Sequence, residues 1–222
     1  MSGGPRIALI HAVAAAIPPV HAAFAQGWPE ARLANLFDDS LPSDLSEAGA
    51  LTPAIAGRIG ALARYMAGAG AEGILFTCSA FGPAIEAAAR ALSPFPVLKP
   101  NEAMFEEALG AGERIGMLAT FGPAVAGMEE EFRQAAGGRS AARLETVLAE
   151  GAIEALKAGD AAAHDRLVAE AVPRLARCDA IMLAHFSTSR ALGAAQAAMP
   201  GKLVLAAPGA AVAALRRRFP GR

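Results

Sequence analysis

Aromatic side chains are scarce, at 5% of 222 residues, with a single Trp and a single Tyr. A chain this poor in flat rings offers no wide stacking platform for nucleobases. Charge is sparse too: 18% of residues are charged, and 20 basic residues against 21 acidic leave a net charge of -1. Such a balance provides no field to draw nucleic acid or an anionic membrane surface, so neither is expected as a partner. The one basic cluster, Arg216-Arg217-Arg218, reads as a helix end that favours cations. Cysteine is limited to Cys78 and Cys178, neither in a C-x-x-C spacing, which excludes a disulfide framework and a cysteine metal motif. Walker, paired-histidine metal and G-x-S-x-G signatures are missing, and no metal site is expected. No apolar run reaches the length of a membrane span. Ile7 to Ile17 is apolar, and Ala22-Ala23-Phe24-Ala25 imitates a signal-peptidase site. Only Arg6 charges its front, however, and His11 and Pro18-Pro19 interrupt the run, so a cytoplasmic protein is expected.

What is abundant is apolar residues, 54% of the chain, enough for one large core or two small ones. They are arranged twice over. Residues 72–85 (EGILFTCSAFGPAI) align with residues 179–192 (DAIMLAHFSTSRAL) at an offset of 107. Arg6–Ile10 matches Arg114–Leu118 at 108, and Val97-Leu98 matches Val204-Leu205 at 107. A constant spacing over three segments points to an internal duplication. The alternative is a single domain whose buried strands merely look alike.

Short apolar runs followed by longer helical patterns predict a mainly parallel sheet covered on both faces. Strands are expected at 6–11, 32–37, 73–77, 96–98, 114–119, 142–147, 180–184 and 202–205. Helices are expected at 51–69, 80–92, 101–110, 122–136, 149–157, 160–177, 189–198 and 209–219. Four strands per half give an α/β fold of two pseudo-symmetric Rossmann-like lobes. The first covers 1–99, joined by 206–222, and the second covers 100–205. Ligands of such sheets bind beyond the carboxyl ends of the strands, here expected in a cleft between the lobes.

The residues just past the strands are therefore the candidates. Cys78 follows one strand and precedes a helix, whose positive end favours thiolate; a buried apolar thiol is the alternative. His185 occupies the matching place in the second half and suits proton exchange near neutrality, although a core histidine would look the same. His11 ends the first strand and would position substrate or act as a rival base. Ser79, Thr120, Ser187 and Thr188 also follow strands, where hydroxyls and amides can receive a carboxylate or a developing enolate; each alone is an ordinary helix cap. Cys178 lies at the other end of its strand and reads as structural. The string Gly68 to Gly73 spells G-x-G-x-x-G but ends a helix and precedes a strand, the reverse of a dinucleotide site. Asp38-Asp39 follows the second strand, yet no glycine turn follows the first.

Ile7–His11, Leu75–Ser79, Gly116–Thr120 and Met182–His185 together resemble the aspartate/glutamate racemase superfamily, which includes hydantoin racemases, maleate isomerases and arylmalonate decarboxylases. The resemblance implies two α/β lobes, no cofactor and a small carboxylate substrate. In the family's racemases each lobe supplies one cysteine. Cys78 matches the first, whereas His185 stands where the second would be. Ser79 and Thr120 correspond to the carboxylate-holding region. The implied activity is a cofactor-independent racemase or isomerase working by α-proton transfer. Decarboxylation, cis-trans isomerisation, a cysteine hydrolase and a carboxylate-binding protein without turnover are the alternatives, and a homo-oligomer stays open.

Overall fold

A computed structural model of the chain describes residues 3–139 and 141–221. It contains two four-stranded sheets, all parallel, with the same strand order in each. In the first the order is β2-β1-β3-β4, from β1 (Arg6–His11), β2 (Arg32–Phe37), β3 (Gly73–Phe76) and β4 (Val97–Leu98). In the second it is β6-β5-β7-β8, from β5 (Arg114–Ala119), β6 (Arg143–Leu148), β7 (Ala180–Leu183) and β8 (Leu203–Ala206). The expected α/β architecture is thus present. The inner strands β1, β3, β5 and β7 are buried on both faces after their first residue or throughout, which is why they read as unbroken apolar runs.

The chain divides into two compact units, one running to Asn101 and resumed from Ala211, the other spanning Glu102–Ala210. In the first unit, α1 (Ile17–Gly27), α2 (Leu41–Ala48), α3 (Pro53–Gly68) and α4 (Gly82–Leu92) flank the sheet. Thr52 caps α3 by accepting the Ile55 amide at 3.3 Å, with Pro53 at the position where a missing N–H costs nothing. Ile10, Ile59, Ile74, Phe76, Phe81 and Ile85 form its core on one face. The second unit holds α5 (Glu102–Ala111), α6 (Val125–Ala136), α7 (Ala152–Lys157), α8 (Ala161–Ala171) and α9 (Leu192–Ala198), of which α7, α8 and α9 contribute to a core with Leu118, Val147, Val168, Leu175, Ile181 and Leu183. A last helix, α10 (Ala207–Arg216), brings Leu215 and the following Phe219 against Gly73 of β3, where an added Cβ would lie 3.2 Å from the Phe219 ring. That ring also packs on Trp28, with centroids 5.3 Å apart.

The two sheets share finer features than strand order. Each inner strand is followed by a single 3-10 turn: Ala14–Ala16, Ser79–Phe81, Gly122–Ala124 and Ser187–Ala191. A carboxylate just ahead of β3 or β7 also receives the first amide of the neighbouring strand. Arg6 N donates to Glu72 Oε1 at 3.1 Å, and Arg114 N donates to Asp179 Oδ2 at 2.8 Å.

Candidate active site

Thr77 and Cys78 continue directly from β3, and Cys78 stands immediately before the turn Ser79–Phe81 that leads into α4. Its backbone is still extended, at φ -126° and ψ 120°. The thiol is half-buried and packs against the core cluster that contains Phe76 and Phe81. Ser79 beside it is also half-buried.

Behind Cys78 lies a polar chain within an otherwise apolar sheet. His11, fully buried, places Nδ1 2.9 Å from Thr77 Oγ1 and Nε2 3.0 Å from Asn35 Oδ1. The same amide oxygen takes His21 Nε2 at 2.8 Å. An oxygen that only accepts requires both Nε2 atoms to donate, so neutral His11 carries its proton on Nε2, and its Nδ1 shares the single Thr77 hydroxyl proton with Ile10 O, 3.4 Å from that hydroxyl. Burial pushes the His11 pKa down, the Asn35 contact offsets part of this, and His21 adds to the fall. Both ring nitrogens of His11 are thus engaged with protein side chains, one of them on Thr77, the residue before Cys78. Asn35 and Thr77 were not singled out from sequence, although a lone amide inside the run RLANLF was a visible signal.

In the second unit His185 follows β7 by two residues and adopts φ 68°, the one positive value among the described non-glycine residues. Left-handed backbone costs a residue with a Cβ roughly 1–2 kcal/mol. The conformation persists only where the surroundings hold it. Before it, Ala184 N donates to Leu118 O at 2.9 Å. After it, the turn Ser187–Ala191 is tied down three times. Ser189 Oγ donates to Phe186 O at 2.5 Å, Thr188 and Thr120 hydroxyls meet at 3.1 Å, and Arg190 forms a two-pronged pair with Asp165 on α8 at 2.9 and 3.1 Å. His185 Nδ1 is buried with no hydrogen-bond partner among the described residues. Burial also lowers the imidazole pKa, with the Ala184 backbone opposing in part. The ring is consequently neutral at pH 7.

Thr120 and Thr188 are both buried, and their hydroxyls face one another rather than standing open, while Ser187 is half-buried. Thr120 lines a hollow of about 410 Å³ at the carboxyl ends of β5 and β6, together with Phe121, Leu148, Glu150, Ile153 and Glu154. Asp38 is consumed in an ion pair with Arg58, which also binds Asp44 at 2.5 Å and the Ser40 hydroxyl. Burial alone would raise the Asp38 pKa, but the hydrogen bonds from Arg58 and Ser40 outweigh it and hold the carboxylate ionised. Cys178 is buried near Glu145, and burial pushes its thiol up, followed by that carboxylate. It is a packing residue. Among the described residues no group of three or more His, Cys, Asp or Glu is placed to hold a metal ion, and no helix is long and apolar enough to cross a membrane.

Residues 43–184, more than half of the chain, match the model of the Asp/Glu/Hydantoin racemase family, and the chain belongs to that family. Its fold is that of solved racemases. Allantoin racemase from Klebsiella pneumoniae superposes with a TM-score of 0.72 at 19% identity, covering 96% of this chain and 87% of the other. Aspartate racemase from Picrophilus torridus gives 0.70 at 13% identity, with coverages of 97% and 94%. Unliganded arylmalonate decarboxylase gives 0.64 at 18% identity, with coverages of 98% and 94%. The sequence finds no match among curated proteins.

Proposed function

We propose that the protein is a cofactor-independent racemase or isomerase of a small carboxylate, with Cys78 and His185 exchanging the proton on the carbon next to the carboxylate. The observation that carries this reading is the equivalence of the two residues. Each lies just past the third strand to appear in its sheet and just before a 3-10 turn, in units of the same topology. Membership of a racemase family supports the reaction type.

The state of His185 supports one division of roles. Neutral imidazole is a base, and with Nδ1 buried the proton arrives at Nε2. Removal of the α-proton leaves an enediolate, which the Cys78 thiol reprotonates. The product state is imidazolium and thiolate, and from it the opposite enantiomer reacts in reverse with the roles exchanged, so no proton is lost or gained. The amides and hydroxyls of Ser79, Thr120, Ser187 and Thr188 are the groups proposed to hold the carboxylate and the developing charge. Oriented donors of this kind contribute on the order of a few kcal/mol each, and matched proton transfer about 10² to 10⁴ in rate.

Incubation in deuterated water with a panel of amino acids, hydantoins, malonates and maleate, followed by NMR, tests the reading. Deuterium at the α-carbon of one panel member is expected, falling at least about 10²-fold in Cys78→Ser and His185→Gln. Loss of carbon dioxide from a malonate would place the chemistry with decarboxylases instead. Binding of a carboxylate with neither deuterium nor product would mark a protein without turnover and overturn the enzyme reading.

A further inference from the structure

His164 is completely buried on α8, yet it carries a titratable ring in a helix otherwise packed through Ala163 and Val168. Its Nδ1 lies 2.8 Å from Asp165 Oδ1, and its Nε2 is buried without a hydrogen-bond partner among the described residues. The same Asp165 oxygen receives Arg190 Nε at 2.9 Å, while Oδ2 receives Arg190 Nη2 at 3.1 Å. A planar guanidinium that grips both oxygens fixes direction as well as distance, which a lysine ammonium cannot do. Arg190 belongs to the turn Ser187–Ala191, and that turn starts two residues after the left-handed His185. Asp165 is held ionised: burial favours its neutral form, but Arg190 and then His164 reverse the balance.

We propose that the His164–Asp165–Arg190 cluster is the positioning device of His185, clamping the turn behind it to α8 so that the imidazole keeps its strained backbone and its direction. Arg190 and Asp165 are positioning residues, not catalytic ones. The inference rests on the role given to His185 above. Its physical basis is that an unfavourable backbone geometry needs an anchor on each side. The Ala184 amide supplies one and this cluster supplies the other, because the Thr120–Thr188 contact is a single neutral hydrogen bond while the Arg190–Asp165 pair is charged and two-pronged. A charge at Arg190 is visible in the sequence, but its partner is not, since Asp165 lies 25 residues away and meets it only through the packing of α8 on the turn.

The test uses the full chain with Arg190→Lys, Arg190→Gln and Asp165→Asn, and reads His185 directly. Titration of the ring by nitrogen-15 NMR and its rate of modification by diethyl pyrocarbonate, mapped by mass spectrometry, need no substrate. In Arg190→Gln the His185 midpoint is expected to move back toward the ordinary histidine value and modification to quicken about tenfold, with Arg190→Lys between it and the parent. With a substrate in hand, kcat should fall about tenfold or more, and KM should rise with it, because the same turn carries Ser187 and Thr188. Arg190 is partly exposed, so its variants are expected to fold even if Asp165→Asn does not. Unchanged titration and unchanged labelling of His185 in both Arg190 variants would overturn the proposal. Full proton exchange by His185→Gln would instead remove the catalytic role of His185 while leaving the clamp to be judged on titration and labelling.

Discussion

At His185 and His11 the folded chain holds two imidazoles neutral, and this has a signature in acid. Both pKa values are lowered from 6.5, chiefly by burial. Below pH 6.5 the unfolded chain takes up protons that the folded one still refuses, so stability falls as the pH falls. The slope is at most about 1.4 kcal/mol per pH unit for each histidine, and it disappears below the folded-state values. Urea unfolding at pH 7.5, 6.5 and 5.5 should show the decline, and His185→Gln should flatten it. His11→Phe takes one partner from each of Asn35 and Thr77, for an expected loss of about 1–3 kcal/mol, readable in the same experiment. The positions of Cys78 and His185 were legible because a residue directly after a buried strand is fixed by the strand itself. The partners Asn35, Thr77 and Asp165 were not, since a hydrogen bond across a sheet or between helix and turn leaves no periodic trace along the chain. The Thr120–Thr188 contact shows the same limit: their places were foreseen, their mutual pairing was not.

Among the elements, the eight strands fell within a residue or so of expectation, because runs such as IALI and AIML are too short and too apolar for any half-exposed structure. Neither α1 nor α2 is among the expected helices, and the reason is plainest for α2. Its eight residues, LPSDLSEA, are largely polar and bury only Leu41 fully, and Gly49 ends it at φ 68°. Helix starts drifted where a 3-10 turn intervenes, as before α4, α6 and α9, and the expected helix at 160–177 breaks up at Pro173, which cannot supply the next amide. The carboxylate ahead of β7 carries a prediction of its own. Asp179 accepts the Glu113 and Arg114 amides at 2.9 and 2.8 Å, and Gly112 leaves it room that a Cβ would fill. The Arg114 amide first, then the Glu113 amide, hold its pKa below 3.8 despite some desolvation. The contribution is present above pH 3.8 and vanishes as the pH drops through the lower folded value, so Asp179→Ala should lower Tm at pH 7 and make little difference near pH 2.

For the molecule as a whole, one strand order appears twice, and each unit has its own apolar centre. Ile59→Ala and Leu183→Ala each empty a fully buried site and should cost about 2–5 kcal/mol. Hydrogen exchange should report the first in β1 and β3 and the second in β5 and β7. The duplication was readable because a constant spacing survives substitution: the side chains of RIALI and RIGML differ, but both must fill a sheet's interior. Trp28 and Gly73, by contrast, are covered by residues far along the chain, Leu215 and Phe219. That arrangement sets an order of events during synthesis. The ribosome completes the contiguous stretch Glu102–Ala210 before it makes the segment that seals the earlier unit. At about 5–20 residues per second, the nascent Trp28 waits on the order of ten seconds for its cover. A newborn chain thus carries an open apolar seam long after most of its sequence exists, and chaperones that bind such seams have that interval in which to act.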